Sequence, residues 1–167
     1  MRRAAVLLAF LLPALAGCSR STSEIKAEEG YSLAAYRKVA VPAFDDPRGQ
    51  GADVAKALRD MLRALPHGVC DEAIVDKVMT ESQKQASDAE GAGLEQLERL
   101  RFQAGADAIV MGRMAPDWSS ASVLVYETEL GDVMLRGVVR PRDKARKAFS
   151  SPEEVAGAVL IALAGQR

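Results

Sequence analysis

His67 is the chain's only histidine, and Cys18 and Cys70 are its only cysteines, so nucleophilic and metal chemistry have few residues to draw on. A triad needs a base beside an activated hydroxyl or thiol. His67 stands between Pro66 and Gly68, in what reads as a turn, with no G-x-S-x-G elbow nearby. One histidine and two cysteines exclude a dense His/Cys metal cluster and a disulfide scaffold. Gly49-Gln50-Gly51 lies between a strand-like and a helix-like segment, with Asp71 20 residues beyond Gly51, which approaches a dinucleotide fingerprint. Val54 occupies the place of the third glycine, so a turn feeding an amphipathic helix is the expectation. Asp45 and Asp46 could contribute to a Ca²⁺ site, but no further oxygen ligands are evident, and turn and capping roles are expected. Cys70 reads as a small buried hydrophobe. No catalytic residue, no metal site and no enzyme activity are expected.

The sharpest chemical asymmetry is basic. Arg136, Arg140, Arg142, Lys144, Arg146 and Lys147 fall within twelve residues that contain one acid between the last four, Asp143. The whole chain has 22 Lys+Arg against 23 Asp+Glu, a net charge of −1, which lacks the basic excess of a nucleic-acid binder. The basic run therefore suits an acidic partner, lipid headgroups or cell-wall polymer, and its six cations are the partner-binding candidates. The plainer reading is a solvated strand edge and loop. Trp118 and Tyr126 lie near the same region and serve either core or interface.

The first residues are an address. Met1-Arg2-Arg3 precedes thirteen apolar residues, 4–16, fewer than the roughly 20 a membrane-spanning helix needs. A short basic start, an apolar run and small residues form a secretory signal. Leu15-Ala16-Gly17-Cys18 resembles the lipobox of bacterial lipoproteins. That resemblance implies cleavage between Gly17 and Cys18, then a thioether-linked diacylglycerol and an amine-linked acyl chain on Cys18. This covalent lipid is the one non-protein group expected, with no cofactor, and two or three chains meet the requirement for stable anchoring. Ser19 stands where an aspartate would resemble an inner-membrane retention signal, so the inner leaflet of the outer membrane, facing the periplasm, is expected.

The elements that must position these residues follow from periodicity. Residues 1–17 are a signal peptide, 18–36 a lipidated cysteine with a flexible tether, and 37–167 a single α/β domain. Residues 39–44 form a strand, with Pro42 forcing an edge position or a bulge. Residues 53–65 form a helix whose apolar face is Val54, Leu58, Met61, Leu62 and Leu65. A short strand at Val69-Cys70 leads to Asp71 as N-cap of a helix with Ile74, Val75, Val78 and Met79 inward. A third helix over 94–104 uses Leu94, Leu97 and Leu100 and stops at Gly105; a buried strand follows over 108–112. Residues 121–128 and 132–140 form a hairpin, and Ser151-Pro152-Glu153-Glu154 opens a last helix with Ser as N-cap and Pro at its first position. The order βαβααβββα predicts an α/β domain with a mixed sheet of about five strands flanked by about four helices.

Three segments carry a family resemblance. Lys38-Val39-Ala40-Val41-Pro42-Ala43-Phe44 resembles the opening strand of the TolB amino-terminal-like fold. That group includes the curli-secretion channel lipoprotein CsgG and the LpoB-type activators of penicillin-binding proteins. Val69-Cys70-Asp71 with residues 74–81 is similar to the group's second strand and helix. Gln103-Ala104-Gly105-Ala106-Asp107-Ala108-Ile109-Val110-Met111-Gly112-Arg113 resembles the segment before its hairpin. The match runs over 38–140, without the long barrel-forming insertions of the curli channel or the long linker of the LpoB type. It implies a membrane-anchored, non-enzymatic protein-binding or regulatory module of an envelope machine, with an envelope protein as partner. The alternative it implies is an oligomeric structural component of a secretion or assembly complex, with further copies as partners.

Overall fold

The computed structural model describes residues 24–66, 68–83, 93–143 and 145–165. Its strands are β1 (Glu24–Ala27), β2 (Lys38–Ala40), β3 (Gly68–Val69), β4 (Ala108–Met114), β5 (Ala121–Glu127) and β6 (Val133–Val139). Its helices are α1 (Gly51–Arg63), α2 (Glu72–Gln83), α3 (Leu94–Arg99), which runs into a π-turn over Leu100–Ala104, and α4 (Pro152–Ala164). One sheet takes the order β1-β6-β5-β4-β2-β3. Strands β3, β2 and β4 are parallel and the remainder antiparallel, so the sheet is mixed as expected.

Period-2 alternation divides the sheet between two cores. Ala108, Val110 and Met114 of β4 face α1 and α4, together with Val54, Leu58, Leu62, Val155, Val159 and Leu163. Ile109 faces the other way, with Val75, Val78, Leu97 and Leu100 of the α2 and α3 layer. Asp71 caps α2, its carboxylate accepting from the amides of Ala73 at 2.9 Å and Ile74 at 3.3 Å. Ser151 caps α4 by accepting from the Glu154 amide at 3.3 Å, with Pro152 at the first helical position. Ile74 and Leu94, expected inward, are 37% and 68% exposed, because each lies at the margin of its helix face.

The sheet has six strands, not about five, and the extra one comes from the expected tether. Glu24-Ile25-Lys26-Ala27 pairs antiparallel with β6, Glu24 opposite Val138 and Ala27 opposite Leu135. Tyr31, Leu33 and Tyr36 then close over the first core, and the Tyr31 hydroxyl donates to the Leu163 carbonyl at 3.3 Å. Burial of these aromatics holds residues 31–36 to the domain, so from Glu24 onward the segment belongs to the fold. Gly137 makes the strand pairing possible, because a Cβ there would meet the Ile25 side chain and the Glu24 carbonyl oxygen.

Pro42 acts through a bulge. Strand β2 is interior, but its ladder to β4 stops at Ala40 opposite Ile109 and resumes as a bridge from Asp45 to Arg113. Five steps of one chain therefore match four of the other, and the surplus residue is accommodated where proline has no N–H to donate. Phe44 drops into the space left by two glycines: a Cβ on Gly112 would strike its ring, and one on Gly51 its carbonyl oxygen. The bulge carbonyl of Val41 is met by Arg59 of α1, which is 2% exposed and donates from Nη1 at 2.8 Å. Arg59 Nη2 also lies 2.5 Å from Glu72 Oε1, in the first turn of α2.

Residues 104–107, within the segment that carries the family resemblance, each have a structural role. Gly105 ends the π-turn in the left-handed region at φ 67°, which favours glycine. Asp107 Oδ2 accepts from the amides of Arg37 at 2.9 Å and Lys38 at 3.0 Å, which sets β2 beside β4. Lys38 Nζ donates to the Ala104 carbonyl at 2.7 Å, and the Thr128 hydroxyl to that of Ala106 at 2.6 Å.

Two outcomes follow. Arg59→Ala leaves the Val41 carbonyl without its donor and removes a buried stem, and should cost about 2–3 kcal/mol in urea unfolding. Glu72→Gln, at a half-exposed carboxylate, should cost under about 1 kcal/mol; equal losses from the two variants would mean that the ion pair, not the bulge carbonyl, is what matters. Gly137→Val should release β1 and raise its amide exchange by about tenfold or more while α1 and α4 stay protected. Unchanged exchange in residues 24–27 would contradict the close approach described.

Candidate interaction surface

The six basic candidates do not form one cluster. Arg136 is on β6, opposite Lys26 of β1 and Leu124 of β5, and points to the α2 and α3 side of the sheet. Arg140, just past β6, lies 3.8 Å from Glu24 Oε1. Arg142 is exposed and makes no ion pair among the described residues. Lys144 lies outside the described residues. Arg146 is tied down: its guanidinium is 3.6 Å from Glu154 Oε2 and 3.7 Å from Asp143 Oδ2, and it donates to the Ser150 hydroxyl at 3.3 Å. The Ser150 hydroxyl and amide, at 2.7 and 2.9 Å from Glu154 Oε2, hold that carboxyl below the usual range, with Arg146 adding to the effect. Lys147 is exposed without an ion pair among the described residues, and Phe149 returns to the core, its amide donating to the Trp118 carbonyl at 2.9 Å.

The other residues singled out by type have structural partners. Asp45 Oδ2 accepts from Arg113 Nε at 2.8 Å. Asp46 accepts from the Arg48 amide at 3.1 Å, the Gln50 amide at 2.8 Å and the Trp118 indole at 3.0 Å. Burial pushes the Asp46 carboxyl up, but these hydrogen bonds and the Arg48 charge outweigh it and hold it low. The Arg48 guanidinium sits 5.4 Å from the Trp118 ring centroid, and its Nε donates to the Pro116 carbonyl at 3.2 Å. The loop over 45–50 is thus closed on itself, and Gly51 faces Phe44, so the near-fingerprint is a turn and a helix start. Trp118 and Tyr126 are both core residues, 2% and 8% exposed. Trp118 holds φ at 62°, rare for a bulky side chain and fixed here by its indole and carbonyl bonds.

Cys70 is a free thiol at 1% exposure. Burial pushes it up to about 11; the Lys38 charge opposes the rise and the Asp107 carboxylate adds a smaller push upward. Such a thiol is inert. Gly17, Cys18 and His67 lie outside the described residues. Among the described residues no group of three or more His, Cys, Asp or Glu is placed to hold a metal ion, and no helix is long and apolar enough to cross a membrane.

One surface was not anticipated. Leu94, Phe102 and Leu130 are 68%, 80% and 68% exposed. Leu94 packs against the β5–β6 turn, where a Cβ on Gly131 would lie 2.5 Å from its Cδ2. Arg101, beside Phe102, pairs with Glu129 in the same turn at 3.1 Å. The α3 layer and this turn therefore present large apolar side chains from one flank. The signal available in the sequence was Phe102, which falls off the Leu94-Leu97-Leu100 face.

No protein-family model matches the chain, and no curated protein matches it in sequence. Solved structures do. A PelC dodecamer from Paraburkholderia phytofirmans superposes with a TM-score of 0.52 at 16% identity, over 87% of this chain and 99% of that one. The LpoB C-terminal domain from Escherichia coli gives 0.45 at 12% identity, over 66% and 88% of the two chains. The lipoprotein GNA1162 from Neisseria meningitidis gives 0.46 at 16% identity, over 75% and 94%. The PelC likeness shows that 87% of the chain has one mixed α/β fold, of the kind a PelC subunit has.

Proposed function

We infer that this is a lipid-anchored, periplasm-facing envelope protein that works by binding other proteins and has no catalytic step of its own. Its role on this reading is that of a regulatory module of an envelope machine. The observation that carries it is the flank of Leu94, Phe102 and Leu130, three large apolar side chains each more than two-thirds exposed. Among the described residues, Asp45, Asp46 and Asp71 are meanwhile engaged in an ion pair, a loop clamp and a helix cap. The anchor is Cys18, after cleavage at Gly17, and the inner leaflet of the outer membrane is the location that Ser19 favours.

A second reading has its own support. The PelC chain that this one matches over 99% of its length is a dodecamer, which favours an oligomeric structural component built from copies of this domain.

The test is cross-linking in intact cells with identification of the captured chains by mass, comparing wild type with Phe102→Ser/Leu130→Ser. Both side chains are exposed, so the double variant should keep its stability within roughly 0.5 kcal/mol per site. Loss of a captured envelope protein in the variant supports the regulatory reading. A ladder of self-multiples that the variant abolishes supports the assembly reading. Undiminished capture by the variant removes the flank from either role.

A further inference from the structure

We propose that the β1–β6 edge of the domain docks on an anionic phospholipid surface, using Lys26, Arg136, Arg142 and Lys147; this rests on the anchoring at Cys18 inferred above.

The argument begins with distance. Glu24 is already paired in the sheet, so five residues separate it from Cys18. At roughly 3.4 Å per residue a fully extended chain places Glu24 within about 20 Å of Cys18. The expected tether of 18–36 would have allowed several times that reach. The domain is therefore held close to the bilayer, and it is held by one edge.

Direction comes next. Strand β1 runs antiparallel to β6, so the anchored end of β1 lies at the carboxyl end of β6, where Arg140 approaches Glu24 and the basic loop begins. The short spacer and the basic loop thus leave the sheet at the same corner.

Charge then selects the partner. At the corner where β1 begins, Glu24 faces Arg140, while Asp143 and Glu154 face Arg146; Glu28 and Glu29, which are exposed, follow the other end of β1, where the Glu28 amide donates to the Met134 carbonyl at 2.9 Å. Lys26 and Arg136 stand side by side across the strand pair, and Arg142 and Lys147 project from the loop. None of these four has an ion pair among the described residues. Two cations placed side by side repel unless an anion lies between or beneath them. Headgroup phosphates are anions of that kind, and a lipid chain with a basic patch is a recognised two-part anchor.

The experiment uses the chain from residue 18 onward carrying Cys18→Ser, so that no lipid contributes, mixed with vesicles of phosphatidylcholine containing 0 to 50% phosphatidylglycerol. Binding is read by co-sedimentation at low and high salt. Binding should rise with phosphatidylglycerol and vanish at high salt, and Arg142→Gln/Lys147→Gln should weaken it by about 25-fold, or roughly fivefold per cation. The two side chains are exposed, and an unchanged circular dichroism spectrum checks that the variant is folded. Binding indifferent to phosphatidylglycerol, or equal in the two proteins, overturns the proposal. So does a variant that keeps full vesicle binding but loses a captured protein, which would assign these cations to a protein partner. The mass of Cys18 in the cell-derived protein tests the anchor separately: an unmodified cysteine refutes the anchoring while the vesicle result still stands.

Discussion

The buried guanidinium of Arg59 is the contact on which the arrangement of this domain turns. Strand β2 must pass between β3 and β4, yet Pro42 cannot contribute to a ladder, and the chain steps out after Ala40. Stepping out leaves the Val41 carbonyl facing the interior, where an unmet acceptor costs about 1–3 kcal/mol. Arg59 meets it from α1 while reaching Glu72 at the start of α2. One side chain thereby links the helix layer on one face of the sheet to the first turn of the layer on the other. The step also delivers Phe44 into the space beside Gly51 and Gly112, and Asp45 to Arg113, so the register of β4 and the start of α1 are set together.

Much of this was legible in the sequence, and the exceptions have physical causes. The helices, the hairpin and the caps at Asp71 and Ser151 follow from periodicity and local hydrogen bonding, and they stand within a few residues of where those rules put them. Pro42 announced a bulge or an edge, and only the topology could choose between them. Strand β1 was hidden because four residues of weak alternation, Glu-Ile-Lys-Ala, resemble a polar linker until a partner strand is known. Arg59 was hidden for a similar reason: an arginine on a helix reads as solvated unless one knows that a carbonyl waits opposite.

The basic run shows the limit of linear reading most clearly. Six cations adjacent in sequence suggest one patch, but a strand sends alternate side chains to opposite faces and a loop turns on its own hydrogen bonds. Arg136 therefore accompanies Lys26 on the sheet, Arg146 is absorbed by Glu154 and Asp143, and Arg142 and Lys147 remain outward. Charge counting found the region and geometry sorted its members.

The two borders of the sheet carry a further consequence. Strand β3 has two residues and β1 has four, the latter with Glu24 and Lys26 among them. Short, charged outer strands are poor templates for backbone pairing between molecules. Crowding many copies on a membrane would ordinarily invite such pairing and its fibrous products. The described borders of the sheet therefore offer little backbone for pairing, which favours contacts between copies through side chains.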